Sequence, residues 1–68
     1  MKWAVLDKKT GARLGVILKW YKNVGTTARP HWRVWYCLAG NEAVNADTRS
    51  CLAVYLAGGP GYKMELLD

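Results

Sequence analysis

The groups able to do chemistry in this 68-residue chain crowd into one stretch, HWRVWYCL, residues 31–38. Two of the four tryptophans and one of the two cysteines sit there beside the only histidine and Arg33. Three chemistries draw on such residues: a Cys–His nucleophile pair, a metal site, or a surface where rings stack on a flat ligand and cations meet an anion. The first fails on distance. His31 and Cys37 share a parity, but along a strand they lie about 20 Å apart at about 3.3 Å per residue, too far for proton transfer. His31 also has no carboxylate near it in sequence to orient it as a base.

The metal reading fails on spacing. Cys37, Cys51 and His31 do not fall into the paired ligands of a zinc site, and both cysteines read as small buried hydrophobes. The carboxylates Glu42, Asp47, Glu65 and Asp68 are scattered and form no metal-type cluster. The glycine-rich AGGPGYK, residues 57–63, lacks the spacing of a phosphate-binding loop, and it is expected to follow a helix when such a loop precedes one. The expectation is a non-enzymatic protein with no cofactor and no metal.

The surface reading gains support from charge. The net charge is +5, and residues 1–33 carry Lys2, Lys8, Lys9, Arg13, Lys19, Lys22, Arg29 and Arg33 against Asp7 alone. The remainder holds only Arg49 and Lys63 against four acids. Such asymmetry suits a basic face turned toward an anionic partner. DNA or RNA is the first expectation. The alternative is an acidic protein surface: the chain would then be a short accessory or inhibitor polypeptide of phage or mobile-element type, docking on a larger nucleic-acid-handling complex. A homodimer would add burial that so short a chain lacks. The longest apolar run, Cys51–Gly59, is too short to span a bilayer, and no signal-type segment follows Met1, so no membrane partner and a cytoplasmic location are expected.

The elements that would position this surface follow from pattern. Residues 2–6 and 14–22 read as a hairpin joined by DKKTG, with Asp7 opening the turn and Gly11 closing it. NVGTTARP, residues 23–30, is a loop, and residues 31–38 form a third strand ended by Gly40-Asn41. Asn41 and Asp47 are candidate helix starts and Gly58-Gly59-Pro60 is a stop, so a helix is expected over about 47–57, with Val44, Thr48, Cys51, Leu52, Tyr55 and Leu56 on one side. A short strand over 62–66 closes the chain. The expected fold is α+β, a three-stranded antiparallel sheet packed on one helix in a single domain, residues 1–68. The alternative takes residues 50–57 and 62–68 as a second hairpin and gives a small five-stranded SH3-like β-barrel.

Alternation along the strands divides the side chains. The apolar set Trp3, Val5, Leu14, Val16, Leu18, Trp20, Trp32, Val34, Tyr36 and Leu38 is expected to face the helix. The opposite, uncovered set is Lys2, Lys19, Tyr21, His31, Arg33 and Trp35. With Lys22 and Arg29 beside it, Tyr21 and Trp35 would stack on bases while the cations meet phosphates or guanine edges.

Overall fold

The computed structural model describes all 68 residues, Met1–Asp68, in the order β1 (Lys2–Asp7), β2 (Arg13–Asn23), β3 (Trp32–Leu38), β4 (Asn41–Ala46), α1 (Arg49–Ala57) and β5 (Tyr62–Leu66). The strands make one open antiparallel sheet in the order β4-β3-β2-β1-β5. The chain meanders through four neighbouring strands, and α1 then carries it across one face of the sheet, from the β4 edge to β5 at the far edge. The barrel is thereby overturned: residues 49–57 are helical, and the edge strands β4 and β5 do not meet.

Local chemistry sets the boundaries. The Asp7 carboxylate accepts the Lys9 and Thr10 backbone N–H groups at 2.8 and 3.1 Å, fixing the β1–β2 turn. Thr48 caps α1 by accepting the Cys51 N–H at 3.3 Å, one residue later than the expected Asp47. Gly58 ends the helix with φ 73° and donates to the Val54 carbonyl at 2.8 Å. Asn41, expected as a possible helix start, instead opens β4, and Val44 lies in that strand, so the sheet expected to have three strands has five, with β4 and β5 at its edges.

The core is small. Trp3, Val5, Ile17, Leu38, Leu52 and Ala53 form a buried cluster flanked by Leu14, Tyr36, Val44, Ala46, Leu56, Tyr62 and Met64. Trp3 packs edge-on against Tyr36 at 5.8 Å, and the Arg49 guanidinium covers the Trp3 ring at 4.6 Å.

Register shows which side of each strand faces the helix. Trp3 pairs with Ile17, Ile17 with Leu38, and Val5 with Gly15. In β2 the inward set is therefore Gly15, Ile17, Lys19 and Tyr21, the reverse of expectation. Val16, Leu18 and Trp20 lie on the uncovered face with their partners Ala4, Cys37 and Trp35. The bulge opposite Val5 and Leu6 leaves Leu14 without a β1 partner, and Leu14 still packs on the core. Gly15 has a close-packing reason: a Cβ there would stand 2.8 Å from Leu56 Cδ1 of the helix.

Strand length then governs exposure. β2 has 11 residues and spans about 36 Å, whereas the nine-residue helix is about 13 Å long. β1 leaves β2 at Leu18, and β4 leaves β3 at Tyr36. Beyond these points β2 and β3 continue alone as a two-stranded arm, and the molecule measures 48 × 24 × 16 Å. Trp32 and Val34, expected in the core, are consequently exposed, and Trp20, also expected there, is exposed because it lies on the uncovered face. Two of the helix residues expected to pack on the sheet, Cys51 and Tyr55, also face outward.

The carboxylate of Asp68 accepts the Lys2 N–H at 3.0 Å and lies 3.7 Å from the amino terminus, the structure's one salt bridge. The Lys2 N–H in first place, and the terminal ammonium with it, hold that carboxyl below its ordinary range. No helix is long and apolar enough to cross a membrane.

Candidate nucleic-acid interface

The arm is built from four cross-strand pairs, Trp20–Trp35, Tyr21–Val34, Lys22–Arg33 and Asn23–Trp32, closed by the loop Val24–His31. Directly paired residues point to the same side. One face therefore carries Trp20, Lys22, Arg33 and Trp35. The other carries Tyr21, Asn23, Trp32 and Val34, with Lys19 at its base.

This arrangement brings together some of the residues expected at the site and separates others. Lys22, Arg33 and Trp35 share the uncovered face, with Lys2 farther back on the same side in β1. Lys19 and Tyr21 lie on the helix side, beyond the helix's reach. Arg29 and His31 belong to the loop, so His31 is not in β3 as expected.

Each face rests one lysine on a ring. The Lys22 ammonium lies 4.7 Å from the centre of Trp35, and the Lys19 ammonium 5.7 Å from the centre of Tyr21. Trp35 is half-buried and its indole N–H donates to Asn45 Oδ1 of β4 at 3.0 Å. Asn45 is itself held through its amide, which donates to the Glu42 and Ala43 carbonyls. Trp35 is therefore a fixed support for Lys22, and the rings open to a ligand are Trp20 at 38%, Tyr21 at 54% and Trp32 at 63% exposure. Sequence reasoning assigned two of these three to the core. The signal for Trp32 is the length mismatch between an 11-residue strand and a nine-residue helix, whereas Trp20 is exposed through the reversed sidedness of β2.

The tip is organised by its own polar groups. Asn23 Oδ1 accepts the Gly25 and His31 N–H groups, both at 2.9 Å, and Thr26 Oγ1 accepts the Arg29 N–H at 2.9 Å. Backbone bonds run from Val24 N–H to the His31 carbonyl at 2.8 Å and from Thr26 N–H to the Arg29 carbonyl at 3.1 Å. Gly25 is required because a Cβ there would overlap the Arg29 carbonyl oxygen and approach the His31 nitrogen to 2.9 Å. The loop thus holds Arg29 and His31 at a defined end of the arm.

The arm's electrostatics are of one sign. Lys19, Lys22, Arg29 and Arg33 make no salt bridge, and no Asp or Glu occurs between Asp7 and Glu42 in sequence. The carboxylates Asp7, Glu42, Asp47, Glu65 and Asp68 all belong to the body of the sheet or its flanks. A shallow pocket of about 490 Å³ at the start of α1, lined by Tyr36, Asp47, Thr48, Arg49, Ser50 and Met64, contains none of the arm residues. No group of His, Cys, Asp and Glu side chains is placed to hold a metal ion.

Fold and site define an α+β protein with a five-stranded open antiparallel sheet, one helix and a projecting cationic, aromatic hairpin. No protein-family model, no curated protein and no solved structure matches the chain.

Proposed function

We propose that the protein is a small non-enzymatic nucleic-acid-binding module whose binding element is the β2–β3 arm. The observation that supports this reading is the co-location of four carboxylate-free cations, Lys19, Lys22, Arg29 and Arg33, with the exposed rings of Trp20, Tyr21 and Trp32 on one projecting element. Phosphates supply the counter-charge that the chain itself does not, and the sugars and bases supply apolar surface for the rings. His31, beside Arg29 at the tip, adds a hydrogen-bonding group.

The test is the fluorescence of the tryptophans titrated with DNA and RNA oligonucleotides at low and high salt. Binding is expected to quench Trp20 and Trp32 and to weaken steeply with salt. Replacing both Lys22 and Arg33 by Ala is expected to flatten the slope of log affinity against log salt by about 2, near 0.9 for each phosphate that is no longer neutralised. An unchanged slope in that variant refutes the assignment.

A second reading is favoured by a different observation. On the uncovered face the half-exposed side chains Leu6, Val16 and Leu18 run toward Trp20 without any element packed on them. An acidic protein partner would cover that strip and pair with Lys22 and Arg33. Capture of a partner from nuclease-treated lysate, abolished in the Leu18→Asp variant, separates this reading from the first.

A further inference from the structure

The arm differs from a flat binding platform in one respect: its cations lie on both faces. Lys19 projects from the helix side, whereas Lys22 and Arg33 project from the opposite side. Each lysine is set against a ring of its own face, so neither crosses to the other. A single strand laid on one face would meet only part of this charge. Beyond Lys19, whose N–H still donates to the Met1 carbonyl at 3.0 Å, and beyond Tyr36, both long edges of the arm are also free. An element charged on two sides and open along its edges fits between two walls of phosphate.

Size selects the groove. A two-stranded β-ribbon is an element that the major groove of B-form DNA admits. The major groove of B-form DNA is about 12 Å wide and its minor groove about 6 Å. The major groove of A-form RNA is too narrow for side chains to reach into.

Resting on the nucleic-acid reading above, we infer that the arm lies edge-on along the major groove of duplex DNA. Lys19 faces one phosphate wall, Lys22 and Arg33 face the other, and Arg29 and His31 lead along the groove. In this placement the exposed rings Tyr21 and Trp20 pack on the sugar–phosphate walls of opposite strands. The free backbone edge of the ribbon meets the base edges.

The experiment uses the full chain and a short fluorescein-labelled DNA duplex, an RNA duplex of the same sequence, and one DNA strand alone. Duplex DNA is expected to bind about tenfold more tightly than either competitor, because only its major groove admits the ribbon. Lys19→Ala and Arg33→Ala are each expected to lower the salt slope by about 0.9, and by the sum of the two when combined. Saturating the duplex with a minor-groove ligand leaves affinity unchanged. Far-UV circular dichroism checks that each variant is folded.

Single-stranded DNA or duplex RNA binding as tightly as duplex DNA overturns the groove placement and leaves the nucleic-acid reading standing. A slope unmoved by Lys19→Ala confines binding to one face and overturns the two-wall arrangement. Displacement by the minor-groove ligand overturns the choice of groove. Absence of binding to all three probes removes this inference and the reading on which it rests.

Discussion

Lys19 and Lys22 use their side chains in the same way: each lies across an aromatic ring, an arrangement worth about 0.5–1 kcal/mol at an exposed site. The ring limits the rotamers of a flexible chain before any anion arrives, so less side-chain entropy is lost on binding. Asn45 extends the effect by locking the Trp35 indole that supports Lys22. The two cysteines show how environment divides identical groups. Cys37 is 3% exposed, and burial first, with the nearby Glu42 second, pushes its thiol above the ordinary range. Cys51 is exposed on α1. Alkylation of the native chain at mildly alkaline pH is therefore expected to modify Cys51 and spare Cys37 until denaturant is added, with mass spectrometry of the digested protein as the check. Equal labelling of both sites in the native chain contradicts the burial of Cys37.

At the level of elements, α1 alone covers the sheet. It contributes two of the eight buried residues, Leu52 and Ala53, so truncation there removes a large share of a small core. Leu52→Ala is expected to cost about 2–5 kcal/mol, measured by urea unfolding, against a total stability that for domains generally is about 5–15 kcal/mol. A loss below about 1 kcal/mol would show that the helix packs more loosely than the structure has it. The helix, the Asp7–Gly11 turn and β5 were all legible in the sequence, because capping residues, turn chemistry and the glycine stop are local signals. β4 was not. Asn41, Ala43, Asn45 and Ala46 are weak strand formers, and only pairing with β3 makes them extended. The sidedness of β2 was hidden for another reason: it is apolar on both faces, Val16 and Leu18 on one and Ile17 on the other, so alternation alone could not decide. Tertiary fit decided it, through Ile17 between Trp3 and Leu38 and Gly15 beneath Leu56. That one reversal is why Lys19 and Tyr21 were legible as surface residues but assigned to the wrong face.

The whole molecule divides into a covered body and an uncovered arm. In the body, β1, β2 and β3 pair on both sides and pack on the helix, whereas the arm has one row of cross-strand bonds and its side chains face solvent. Backbone hydrogen exchange is expected to follow this division: Trp3, Val5 and Ile17 exchange at the rate of global unfolding, and Tyr21 through Val34 by faster local opening. Duplex DNA is expected to slow the second group and leave the first unchanged, as read by mass spectrometry or NMR. Slowing confined to body residues would move the binding surface away from the arm. The partition has a further consequence in the separation of charge. The positive groups Lys19, Lys22, Arg29 and Arg33 stand on the arm of a molecule 48 Å long, and every carboxylate belongs to the rest of it. Because Lys2, Lys8, Lys9, Arg13, Arg49 and Lys63 nearly balance those carboxylates, the protein carries most of its net charge of +5 at the arm end. Near a polyanion it experiences a torque that turns the arm forward before any atoms touch, so encounters arrive already aligned.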